Sequence, residues 1–192
     1  GAGKYRQCTQ GRIVWSASTC AQRMPHGAIF DRYWSNSAVR TAMGFPTAGP
    51  INGNGNGDQR FQYGWLSTNA NSTAMIVGGS GMPAMERNAL VSKWSQPLAG
   101  KQPAHDTIWI AGKGGSLSTN AYQGFDKTFT IQAGKNTAFV VRGAIQDKYG
   151  TMGFFDSWLG WPTSDEQCLD VPCKYAYSNF EHKVASSLKE RI

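Results

Sequence analysis

The residues of this chain with the clearest chemical potential are seven tryptophans and a small set of acids. Trp161 stands close to Asp165 and Glu166. An aromatic face beside two carboxylates suits a sugar, because the ring takes the C–H face of a pyranose and the acids take its hydroxyls. Phe45 holds the place of Trp161 in an earlier stretch of related sequence. Trp109 and Trp158 have no counterpart elsewhere, which marks them for a site over a shared core. Trp15, Trp34, Trp65, Trp94, Phe125 and Phe129 recur with the pattern and are expected to fill the interior. Asp31-Arg32-Tyr33 and Asp147-Lys148-Tyr149 place an acid and a base on one turn twice. Asp31 and Asp147 are candidate sugar ligands, with an exposed helix face as the plainer reading.

Material for catalysis is thin. The three histidines, His26, His105 and His182, show no zinc spacing. His105-Asp106 resembles half of a triad, yet no Gly-x-Ser-x-Gly elbow supplies a nucleophile. Asp165-Glu166 would furnish one glycosidase carboxylate, with Asp31, Asp106, Asp147 or Asp156 as its partner. Gly78-Gly79-Ser80-Gly81 and Gly112-Lys113-Gly114-Gly115-Ser116 lack the spacing of a phosphate-binding loop and read as turns. The expectation is a binding protein without metal or cofactor. A small glycan- or peptidoglycan-cleaving hydrolase is the catalytic alternative.

The elements that must position these residues come from a repeat. Gly27-Ala28-Ile29-Phe30-Asp31-Arg32-Tyr33 returns as Gly143-Ala144-Ile145-Gln146-Asp147-Lys148-Tyr149. Gly44-Phe45-Pro46-Thr47 returns, at the same internal spacing, as Gly160-Trp161-Pro162-Thr163. A worn copy runs from Asn88-Ala89-Leu90 to Lys93-Trp94, then Gly100 and Pro103. Ahead of each helical stretch lies a pair of short strands around a polar turn: 11–15 with 19–24, 61–66 with 73–77, and 125–129 with 137–141. Cys8 falls where the other copies carry Phe61 and Phe125. Repeats of this size stack one supersecondary unit to share a core. The expected units are 11–60, 61–121 and 122–173, with a partial unit over 174–192 in which Phe180 to Ile192 reads equally as a helix or an imperfect hairpin.

Composition narrows the class. Hydrophobic residues at 40% and aromatics at 12% exclude wholesale disorder. A net charge of +7 favours acidic partners, but the basic residues are scattered without a run, which argues against nucleic acid. No apolar run reaches the length of a membrane span. Four cysteines suit two local disulfides, Cys8 with Cys20 and Cys168 with Cys173, and an oxidising, secreted setting; other pairings stay open. Asn71-Ser72-Thr73 forms a glycosylation sequon on an expected hairpin turn.

With Gly-Ala-Ile…Tyr, Leu159-Gly160-Trp161-Pro162-Thr163-Ser164-Asp165-Glu166, Met43-Gly44-Phe45-Pro46-Thr47 and the aromatic–Gly hairpin Phe61-Gln62-Tyr63-Gly64, the chain resembles the LGFP tandem repeat. That family occurs in secreted actinobacterial proteins. The resemblance implies a cell-wall association module that recognises envelope polysaccharide or peptidoglycan. The fold expected is therefore α+β: a single pseudo-symmetric domain of about three β-hairpin/short-helix repeats, stapled by disulfides. The other binding reading is a module that engages and regulates a secreted enzyme, with 101–118, the most divergent stretch, as its contact.

Overall fold

A computed structural model describes residues 3–51, 57–69, 71–95, 103–111, 119–125, 129–134, 137–169, 175–181 and 184–188. Residues 52–56, residues 101–102 and 112–118 of the divergent stretch, Cys173, His182 and the side chain of Trp109 lie outside that description. Within it the chain is a mixed α/β protein of small antiparallel sheets and four short helices.

Strands β1 (Gly3–Cys8), β2 (Gly11–Ser16) and β3 (Cys20–Pro25) form the first sheet, followed by helices α1 (Ala28–Ser35) and α2 (Ser37–Met43). Strands β4 (Asp58–Phe61), β5 (Gly64–Thr68) and β6 (Ala74–Gly78) form the second, followed by α3 (Ala84–Trp94). The third has four strands, β7 (Ile108–Ala111), β8 (Thr119–Phe125), β9 (Phe129–Gly134) and β10 (Thr137–Arg142), and leads into α4 (Gly143–Thr151). The last contains β11 (Gln167–Cys168), β12 (Tyr175–Asn179) and β13 (Val184–Leu188). The C-terminal stretch is therefore a hairpin.

Local chemistry explains the boundaries. Gly11 and Gly64 follow tight two-residue turns at φ 142° and 146°. A Cβ at either would lie within 2.2 Å of a carbonyl oxygen on the neighbouring strand, so only glycine fits. Asn36 caps α2 by accepting the Ala38 and Val39 N–H groups at 2.9 and 3.2 Å. Gly44, at φ 69°, closes it through its N–H to Arg40 O at 2.9 Å.

Each helix is buried between its own sheet and the next. Ile29, Phe30 and Tyr33 of α1 join Val14 and Met24 of the first sheet to Phe61 and Leu66 of the second. Leu90 and Trp94 of α3 join Val77 to Ile131 and Val140. Ile145 and Tyr149 of α4 join Val141 to Ala176 and Phe180. The core is a row of junction clusters, the distribution expected of stacked repeats.

The Pro-containing segments stitch these junctions together. Thr47 N–H donates to Arg60 O, Ala104 N–H to Gly124 O and Thr163 N–H to Asn179 O, at 3.0, 2.9 and 2.7 Å, catching the incoming sheet. The outgoing sheet is caught by Thr107 N–H to Ile76 O at 2.9 Å and Glu166 N–H to Val140 O at 3.3 Å. Pro50 holds that place at the first junction and has no N–H. There Gln59 Nε2 donates to Arg23 O and Ala48 O, both at 3.0 Å. Tyr33 and Tyr149 lock the motif from behind, their hydroxyls donating to Gly44 O and Gly160 O at 3.0 and 2.7 Å.

The expected Cys8–Cys20 staple is absent, and both cysteines are free thiols. Cys8 pairs with Gly11 at one end of β2 and Cys20 with Ser16 at the other. A strand of that length separates them by roughly 16 Å, far beyond the ~7 Å that a disulfide spans between Cα atoms. Cys168 is disulfide-bonded, with its partner outside the described residues.

Two outcomes follow from this architecture. Native protein titrated with a thiol reagent should yield both Cys8 and Cys20, and Cys8→Ser with Cys20→Ser should leave the melting temperature unchanged. Tyr149→Phe should cost about 1–3 kcal/mol in urea unfolding, because the buried Gly160 carbonyl loses its donor. Tyr177→Phe, whose hydroxyl meets only exposed Gln167, should cost almost nothing.

Candidate binding site

The structure assigns the sequence candidates to different tasks. Trp161 is 3% exposed, and its backbone belongs to a clasp: N–H to Glu181 Oε2 at 3.2 Å, and carbonyl to Glu181 N–H at 2.9 Å. Its ring is not on offer to a ligand. Asp165 accepts the Val140 N–H at 2.8 Å and pairs with Lys93. Glu166 is buried, with Arg142 Nε 3.8 Å from its carboxylate. Asp31 and Asp147 are exposed on α1 and α4, helices of two different junctions. Trp158 is 60% exposed beside buried Leu159, while Trp109 lies on β7.

The acids and bases thus serve the stacking. Asp106 repeats the role of Asp165: it accepts the Ile76 N–H at 2.8 Å and pairs with Arg32 of α1. His105 Nε2 accepts the Gly124 N–H at 3.1 Å, which leaves Nδ1 to donate to the Asp106 carbonyl at 2.6 Å. The apparent half-triad is therefore a junction fitting, with the Asp106 carboxylate turned to Arg32. Among the described residues no group of three His, Cys, Asp or Glu is placed to hold a metal.

A cavity of about 320 Å3 opens where β1 meets α1, α2 and the first Gly-Phe-Pro segment. Aromatic groups form its walls: Tyr5, Tyr33, Trp34 and Phe45, with Arg40 and Thr41 as polar lining. Tyr5 is 59% exposed and meets Trp34 edge-on at 5.1 Å. The Arg12 guanidinium lies 4.0 Å over Trp34 and 4.7 Å over Tyr5, fixing both rings by cation–π contact. Arg40 is held by Nη1 donation to the Tyr33 and Trp34 carbonyls at 3.1 and 2.6 Å. Phe45 sits so close to Gly3 that a Cβ there would fall 2.1 Å from its ring. Tyr33, buried at the back, has its hydroxyl pushed up to about 12 by desolvation, against the lowering effect of Arg40.

Of these residues only Phe45 stood among the sequence candidates. Trp34 was assigned to the core, and it is half-buried. One signal could have found the place: Asn36 caps a second helix, α2, and among the described residues such a helix follows only α1.

No protein-family model matches the chain, and no curated protein matches it.

The Tyr33 shift has a defined consequence. Burial keeps the phenol neutral in the folded state, so its contribution is complete below pH 10.0, the ordinary value, and disappears as pH climbs to about 12. Tyr33→Phe should flatten that part of the stability–pH curve in alkaline denaturation, and it should not shift the acid limb.

Proposed function

We propose that the chain is a secreted, non-catalytic module that binds cell-wall polysaccharide, with the saccharide seated in the cavity beneath β1. The observation carrying this reading is the cavity itself: exposed Tyr5 and half-buried Trp34 pinned by Arg12, beside the Arg40 guanidinium and the Thr41 hydroxyl. Fixed aromatic rings stack on the apolar face of a sugar, and flanking donors meet its hydroxyls. Ring positions set before binding lower the ordering cost of association.

The LGFP-like motifs support the same reading, because their two Gly-aromatic-Pro segments and the segment at Pro103 each send the N–H after the proline to a strand of the sheet ahead. We take the whole as one pseudo-symmetric array of β-hairpin/short-helix repeats. Of the acids that a hydrolase would use, Asp106 and Asp165 are engaged by basic residues and strand N–H groups and Glu166 is buried, while Asp31, Asp147 and Asp156 are exposed.

Purified protein is incubated with intact sacculi, with peptidoglycan, and with wall stripped of polysaccharide, and released sugar is assayed in the same tubes. The expected result is retention that disappears with the polysaccharide and falls roughly tenfold or more in Tyr5→Ala and Trp34→Ala. Asp31→Asn and Asp147→Asn should retain binding. Sugar release would overturn the non-catalytic assignment. Retention indifferent to Tyr5 and Trp34 would move the site away from the cavity.

A further inference from the structure

The first sheet presents to solvent a face that its counterparts bury. In the second sheet, Gln59, Phe61, Leu66 and Ala74 share one face, as the pairings of Gln59 and Ile76 with Leu66 and of Phe61 with Gly64 require. That face is covered by α1: Leu66 is 0% exposed, Gln59 1% and Phe61 2%. In the third sheet Ile131 holds the place of Leu66, is 0% exposed, and packs with Leu90 and Trp94 of α3. The register places Ile13 there in the first sheet, with Cys8 for Phe61, Arg6 for Gln59 and Arg23 for Ile76. Ile13 is 44% exposed and Trp15, on the same face, 41%.

We propose that this face is a docking surface for an amphipathic α-helix of a partner protein, apolar along one stripe and acidic along its flanks. Two observations fix the occupant. The geometry is that of a helix seat, since the same face of the next two sheets carries α1 and α3. The charge is complementary to acids alone: Lys4, Arg6 and Arg23 frame Ile13 and Trp15, and no acidic residue lies on these three strands. The exchange of Phe61 for Cys8 also matters. A hollow of about 230 Å3 lined by Cys8, Gly11, Ile13, Arg23 and Pro25 opens on this side, with room for an aromatic side chain that the incoming helix would supply. Helix-in-groove recognition anchors such residues at i and i+4. Within the chain, Ile145 and Tyr149 of α4 have that spacing and are 3% and 1% exposed at their own junction. This surface is independent of the polysaccharide reading, which concerns the cavity on the other side of β1.

The probe is a fluorescent synthetic helix that presents isoleucine and tyrosine at the Ile145/Tyr149 spacing on one face and glutamates on its flanks. Anisotropy and the emission of Trp15 are followed with the intact chain. Saturable binding is expected, weakened roughly tenfold or more by Ile13→Asp or by Arg6→Glu with Arg23→Glu, and weakened by salt. Circular dichroism and polysaccharide retention identify a variant that has merely lost its fold. No saturable binding, or binding indifferent to Ile13→Asp, would overturn the proposal. Equal binding of a glutamate polymer without an apolar stripe would make the occupant a polyanion, and self-association abolished by Ile13→Asp would make it a second copy; either result also overturns it.

Discussion

The structure depends on a backbone clasp that follows Pro46, Pro103 and Pro162. The main-chain N–H after the proline reaches into the sheet ahead, on β4, β8 or β12, and at two of the three junctions the chain returns, three residues further on, to the last strand of the sheet behind. A small sheet buries its edges poorly, and unpaired edge groups are both costly and adhesive. The clasp ties consecutive sheets together through backbone groups that a short sheet leaves unpaired. Helices then fill the space that the clasps define.

Charge follows the same plan. Asp106 and Asp165 each join a strand N–H to a basic residue on the helix of the junction behind, Arg32 in one case and Lys93 in the other. The acid is partly exposed in each pair, and screening by water limits what the ion pair alone contributes. Their more certain effect is geometric, because a carboxylate that accepts a strand N–H fixes the loop that carries it. Residues that looked chemical in isolation are therefore tied into the scaffold.

The first sheet departs from this economy in two places, and both carry the binding proposed above. Against α1 and α2 it leaves a cavity whose rings are held by Arg12. On its other side, Arg6 and exposed Ile13 stand where the second sheet has buried Gln59 and Leu66. Small sheets followed by short helices recur along the chain, and the first sheet differs from the others at these two surfaces.

Much of the architecture was legible from residue order. Paired strands ahead of α1 and α3 follow from apolar periodicity, and the end of α2 follows from Gly44 before proline, because these signals act over a few neighbouring residues. The expected strand at 125–129 instead falls between β8 and β9, and α4 stops at Thr151, well ahead of Gly160. The middle copy lost its Pro-Thr signature yet keeps the clasp, since the bond comes from the backbone of Ala104 and needs no particular side chain. Tertiary structure alone decided which aromatics face solvent. Trp161 and Trp15 exchange their expected places because burial depends on what the next repeat lays over a sheet, and that neighbour lies many residues away. The cysteines show the same limit: Cys8 and Cys20 are close in sequence, but the length of β2 holds them apart. Local order specifies elements through short-range backbone chemistry, whereas a site needs groups brought together from distant positions, and only the stacked fold does that.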